Sequence, residues 1–144
     1  MEETLRREII LDHYQNPKNK ESVTDERYLK ANTNNESCID NIDLYVLLEN
    51  GIIEDIKFQG EACAISTSST SIMITNLIGK TIEEAKEYIA HFTAMVNEEE
   101  YDETILQEGI VYSNIYKQNN RKNCALLPYK GILKILEALD STGE

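Results

Sequence analysis

The stretch IDLYVLLENGIIEDIKF, residues 42–58, decides the fold. Ile42, Leu44, Val46 and Leu48 alternate with Asp43, Tyr45 and Leu47, and successive side chains of a strand point to opposite faces. Glu49-Asn50-Gly51 then supplies turn chemistry. Ile52, Ile56 and Phe58 carry a second period of two, interrupted at Glu54. The pattern predicts an antiparallel β-hairpin with one apolar face, and a lone hairpin is marginal in water unless other elements cover that face.

The flanking sequence supplies the cover. Leu5, Ile9 and the segment to Tyr14 predict an N-terminal helix that Asn16-Pro17 ends, because the residue before a proline disfavours helix. A polar loop is expected from there to Asp40. After the hairpin, Gly60 precedes Cys63, and the hydroxyl-rich block Ser66 to Ser71 reads as the capped first turn of a helix that continues through Ile72, Met73 and Leu77. Thr81-Ile82-Glu83-Glu84 fits a capping box, followed by Ile82, Ala85, Ile89, Phe92 and Val96 at helical spacing and an acidic patch from Glu98 to Glu100. Ile132, Ile135, Leu136 and Leu139 form the stripe of a last helix with Pro128 in its first turn and Cys124 just upstream. The expectation is one α+β domain over residues 1–144: a small antiparallel sheet packed on one side by helices, without internal repeats or a dividing linker.

With 144 residues the chain can bury roughly two-thirds of its unfolded surface without disulfide staples. Its net charge of −12 repels nucleic-acid phosphates and anionic membranes, although an acidic face can attract a basic protein. The N-terminus leads into no apolar stretch of signal-peptide length, and runs such as Leu44 to Leu48 are far too short to span a bilayer. A cytoplasmic protein is expected. Three cysteines, widely spread, suit reduced thiols better than a disulfide framework.

Cys38, Cys63 and Cys124 each fall near the boundary of a predicted element. In an extended chain Cys38 and Asp40, at i and i+2, point to the same side and could grip one ion together. Cys63 and Cys124 would complete a tetrahedral set of three thiolates and a carboxylate suited to zinc or an iron–sulfur group, exposed at one end of the fold. Spacing alone leaves this open, since no paired C-x-x-C is present and a free cysteine also serves as a small buried hydrophobe. Arg121 or Lys122 could offset the charge of such a site or be plain solvated loop residues. His13 reads as structural or partner-facing and His91 as surface. The hydroxyls after Cys63 could stabilise a sulfur anion, but helix packing explains them as well. No glycine-rich phosphate loop or serine-histidine-acid arrangement is apparent.

Taken in order, LDHYQNPKN (11–19), SCIDNIDL (37–44), FQGEACAIS (58–66) and RKNCALL (121–127) resemble the IscU/NifU-type iron–sulfur cluster assembly proteins over nearly the whole chain. The resemblance implies that Cys38, Asp40, Cys63 and Cys124 bind metal together. The long interval between Cys63 and Cys124, with neither a histidine before Cys124 nor an LPPVK-type chaperone motif, looks like the SufU branch. That branch implies a Zn2+-bound protein that accepts sulfur from a cysteine desulfurase, with Cys38 as the nucleophile. The alternative in the same family is a scaffold on which a transient iron–sulfur cluster is built and passed to acceptor proteins; a structural zinc domain is a third reading. The chain departs from the family at Ile39 and Ala62, where glycine is usual, and at Lys122-Asn123, which shifts the lysine before the third cysteine.

Overall fold

The computed structural model describes residues 1–35 and 39–141. In chain order they form helix α1 (Glu3–Gln15), strands β1 (Leu29–Asn34), β2 (Asn41–Glu49) and β3 (Ile52–Glu61), helices α2 (Ala64–Leu77) and α3 (Ile82–Val96), the short α4 (Glu103–Leu106), two 3-10 turns (Gln107–Tyr112 and Ile115–Lys117) and α5 (Asn119–Ser141).

The hairpin forms as the alternation predicts, with Asn50 and Gly51 both at positive φ in the turn. Its register shifts between Leu47, which faces Asp55, and Leu48, which faces Ile53. Glu54 is thereby left as the extra residue of a bulge, which is the physical meaning of the interruption seen in the sequence. One consequence corrects the expected pattern: Ile53 is fully buried, whereas Ile52 points out and is 39% exposed.

Strand β1 occupies part of the expected polar loop. It pairs antiparallel with β2 from Leu29 opposite Val46 to Asn34 opposite Asn41, giving the sheet order β1-β2-β3. LKANTN carries little apolar signal because only Thr33 is buried. The helices cover the sheet face that presents Ile42, Leu44, Val46, Ile56 and Phe58. Gly131 lets α5 approach closely, since a Cβ there would meet the side chains of Leu44 and Thr33.

Helix α2 starts at Ala64, so the Ser/Thr block is not its cap. Residues 66–71 lie inside the helix and are all buried. Small side chains permit close packing, and their hydroxyls find partners: Ser69 donates to the Ala125 carbonyl at 2.6 Å, Thr70 to Ser66 at 2.7 Å, and Ser68 shares a 2.5 Å bond with the Tyr112 hydroxyl. Helix α3 carries both halves of the capping box between Thr81 and Glu84. Its Phe92 stacks on Tyr129 of α5, with ring centroids 4.1 Å apart.

Helix α5 begins well before the expected first turn at Pro128, so the proline lies in its interior and Cys124 is a helical residue. A proline has no N–H for the carbonyl four residues earlier, here that of Cys124. The Ser66 hydroxyl lies 3.0 Å from that oxygen and takes the missing donor's place.

Candidate metal centre

Three segments converge at one end of the sheet. Asp40 immediately precedes β2, and its carbonyl accepts the Asn35 N–H at 3.0 Å, closing the connection from β1. Cys63 follows β3 as the N-cap of α2, its Sγ accepting the Ser66 N–H at 3.4 Å. Cys124 comes from α5. One carboxylate oxygen of Asp40 and the two sulfurs lie within 4.8 Å of one another. Asp40 and Cys124 are buried, whereas Cys63 is half-buried; Ile39, next to Asp40 in the chain, is 69% exposed.

The carboxylate is held from two directions. Oδ1 accepts the Cys63 backbone N–H at 2.7 Å, and Oδ2 accepts the Ser66 hydroxyl at 2.7 Å. Burial pushes the Asp40 carboxyl upward, but hydrogen bonds from Ser66, the Cys63 amide and the Cys124 and Cys63 thiols outweigh it and hold the group below its ordinary range. The same surroundings act oppositely on Cys124. Burial, reinforced by the neighbouring Cys63 and Asp40, pushes its thiol up to about 12. A carboxylate that stays ionised beside the buried Cys124 thiol, which resists ionisation without a counter-charge, makes a site short of positive charge.

Asp40, Cys63 and Cys124 are thus together, as the sequence suggested, while Cys38 lies outside the described residues. Arg121 and Lys122 form no ion pair with Asp40 among the described residues. His13 is structural: Nδ1 lies 2.7 Å from the Ser71 hydroxyl and Nε2 3.4 Å from Glu108, fixing α1 to α2 and the first 3-10 turn. His91 accepts the Asp102 N–H at 3.1 Å. Sequence reasoning offered Ser66 only as part of the hydroxyl block after Cys63 and did not single it out, although it touches all three donor-bearing segments. Its position three residues after an N-cap was the available signal.

Two sulfurs and a carboxylate oxygen at this separation fit a thiophilic divalent ion, and the buried carboxylate is ready to meet positive charge. The fold and donor set therefore define a small α+β domain with a cysteine- and carboxylate-lined group able to hold a metal ion. Residues 5–125 match the model of the NifU-like N terminal domain, and the chain belongs to that family. It is 38% identical over 133 residues to the zinc-dependent sulfurtransferase SufU of Bacillus subtilis (strain 168), covering 92% of this chain and 89% of that protein. It is 33% identical to the iron–sulfur cluster assembly scaffold protein IscU of Thermotoga maritima, with 92% of each chain covered. The crystal structure of a putative iron–sulfur cluster assembly scaffold protein for the SUF system from Fervidobacterium islandicum AW-1 superimposes with a TM-score of 0.83 at 34% identity, over 91% of this chain and 93% of that one. No helix among the described residues is long and apolar enough to cross a membrane.

Proposed function

We propose that this chain, acting as one domain over residues 1–144 in the cytoplasm, is a Zn2+-bound sulfur acceptor for a cysteine desulfurase in iron–sulfur cluster assembly. The observation that carries the reading is the convergence of Asp40, Cys63 and Cys124 within 4.8 Å. Its similarity to the B. subtilis protein named as a zinc-dependent sulfurtransferase supports the same choice. Cys38, two residues before Asp40, completes the ligand set with Asp40, Cys63 and Cys124. Bound Zn2+ supplies the positive charge that keeps buried thiols ionised at neutral pH.

The chemistry then belongs to the cysteines. The Cys38 thiolate attacks the outer sulfur of the desulfurase persulfide, forming a new S–S bond on Cys38 as the bond to the desulfurase cysteine breaks. That cysteine leaves as a thiolate and takes up a proton, while the sulfur stays on this chain as a persulfide for transfer to an iron–sulfur acceptor pathway. Asp40 shares the ligand set through a harder oxygen donor, and Cys63 and Cys124 anchor it from two helices.

The test is anaerobic purification with elemental analysis, expected to give about one zinc per chain for one four-ligand site. The protein is then incubated with a cysteine desulfurase and cysteine, and persulfide mass and reductant-released sulfide are measured. Protein that neither gains sulfur nor accelerates the desulfurase, yet assembles a cluster from iron and sulfide, would move the assignment to the scaffold role carried in the T. maritima protein's name.

A further inference from the structure

Ser66 is fully buried in the first turn of α2, and its one hydroxyl lies within reach of two acceptors. Asp40 Oδ2 is 2.7 Å away and the Cys124 carbonyl oxygen 3.0 Å away. A hydroxyl has a single proton to donate, so it serves these two oxygens in turn or shares itself unequally between them. Its third neighbour, the Cys63 thiol at 3.6 Å, donates to it. The second acceptor is available because Pro128 has no N–H to give the Cys124 carbonyl.

We infer that Ser66 is the positioning residue that lets Asp40 engage and release the metal, its hydroxyl turning its hydrogen bond from Asp40 Oδ2 to the Cys124 carbonyl as the carboxylate turns to the ion. The inference rests on the reading of Asp40, Cys63 and Cys124 as ligands and deepens it. Oδ2 is the carboxylate oxygen 3.7 Å from the Cys63 sulfur, while Oδ1 stays tied to the Cys63 N–H. If Ser66 had only Asp40 to bond, ligation through Oδ2 would strand a buried donor, which is expensive in the interior. The carbonyl freed by Pro128 accepts the hydrogen bond instead. Exchange of Asp40 on and off the ion then keeps the buried Ser66 donor paired at both ends of the exchange, so the hardest of the ligands is also the one most easily swapped.

A double-mutant cycle on the full chain, read by competition for Zn2+ against a chromophoric chelator and by the visible absorption of Co2+-substituted protein, tests this. Ser66→Ala in the native background is expected to weaken Zn2+ binding by about 10- to 100-fold, the usual effect of removing a group that orients a ligand. In an Asp40→Ala background the same change should alter Zn2+ affinity by less than about twofold, because the two residues act as one unit. Melting of the metal-free protein should fall on Ser66→Ala in both backgrounds, since the Cys124 carbonyl loses its donor either way; this is the purely structural readout. Pro128→Ala, which returns a backbone donor to that carbonyl, should weaken Zn2+ binding a few-fold while leaving Ser66 in place, and Ser66→Thr should restore the native Co2+ spectrum. Equal affinity losses for Ser66→Ala in both backgrounds, or an unchanged affinity in Pro128→Ala, overturn the inference. Failure of the ligand reading itself is seen separately: wild-type protein would then bind no Zn2+, or Asp40→Ala would bind it as tightly as wild type.

Discussion

Asp40 and Cys63, 23 residues apart in sequence, are joined through a 2.7 Å hydrogen bond from the Cys63 N–H to Asp40 Oδ1, and Asp40 Oδ2 lies 3.7 Å from the Cys63 sulfur. The start of β2 is thereby fixed to the start of α2 through the Asp40 carboxylate, a proposed metal ligand. Organisation of the site and integrity of that corner of the fold depend on the same carboxylate.

Asp40→Ala leaves the Cys63 N–H without its acceptor and removes one of the two acceptors of the buried Ser66 hydroxyl, which keeps the Cys124 carbonyl; stranding a buried polar group costs about 1–3 kcal/mol. Metal-free Asp40→Ala should lose about 2 kcal/mol overall in denaturant titration. Asp40→Asn keeps one acceptor oxygen and should retain more than half of that stability. Equal losses in the two variants would show that the carboxylate's charge, not its hydrogen bonds, holds the corner.

The pH response of the metal-free protein follows from Cys124. Its folded-state pKa is raised from the ordinary 9.0 to about 12, so the folded chain holds the thiol proton where the unfolded chain has released it. The stability contributed is fully present below the unfolded value and is lost as pH rises from there through the folded value. Asp40 works on the other limb: its lowered pKa contributes stability above the ordinary carboxylate range and loses it as pH falls through the lowered value. Chelator-treated protein should therefore melt at progressively lower temperature as pH rises from about 9 towards about 12. Zinc-loaded protein should resist that alkaline loss and instead release its ion on acidification, as its ligands take up protons. A flat alkaline profile for the metal-free form would remove the buried Cys124 thiol as the cause.

What was legible in the sequence is what repeats. The β2–β3 hairpin and α3 announce themselves through period-two and period-3.6 patterns that burial enforces. Strand β1 does not, because an edge strand with a single buried residue has almost no apolar face to display. The start of α5 was hidden by Pro128: a proline is normally a boundary, and only the tertiary donor from Ser66 makes an interior position acceptable. Likewise, the Ser/Thr block looked like capping chemistry because a sequence does not reveal that α5 packs against it. Asp40, Cys63 and Cys124 were recognisable from motif resemblance, but the hydrogen bonds that prepare Asp40 required coordinates.

Gly60 links the hairpin to the centre. It sits at φ +129°, opposite Ile42, and a Cβ there would collide with the Asn41 carbonyl oxygen. Gly60→Ala must push β3 away from β2 next to Asp40, adding backbone strain to a steric clash. A loss of about 2–4 kcal/mol is expected, with weaker Zn2+ binding than a distant mutation of equal severity produces. Chemical denaturation alongside zinc competition checks both parts.

Thr81→Ala provides that distant comparison. It removes the capping-box hydroxyl that accepts the Glu84 N–H at 3.2 Å, far in sequence from any proposed ligand. The loss should be about 1 kcal/mol, with Zn2+ affinity unchanged. A parallel fall in affinity would mean that zinc binding tracks global stability rather than the local corner.

Cys63→Ser separates the two roles of Cys63, N-cap and proposed ligand. Serine is among the best N-cap residues, so the replacement keeps an acceptor for the Ser66 N–H and preserves the start of α2. Metal-free Cys63→Ser should melt within a degree or two of the metal-free wild type, since the change is nearly neutral for the helix. The stabilisation that Zn2+ gives by binding only the folded state should nevertheless largely vanish, because a neutral hydroxyl replaces a thiolate. Sulfur acceptance from a cysteine desulfurase should be lost with it. Cys38→Ser should remove sulfur acceptance as well, but for a different reason: the proposed nucleophile is gone while the other proposed ligands, Asp40, Cys63 and Cys124, remain for residual Zn2+. Thermal melts with and without Zn2+, paired with persulfide mass measurements, distinguish the variants. If Cys63→Ser keeps the full zinc-dependent rise in melting temperature, Cys63 is a cap and not a ligand; if Cys38→Ser accepts sulfur at the wild-type rate, another cysteine is the nucleophile.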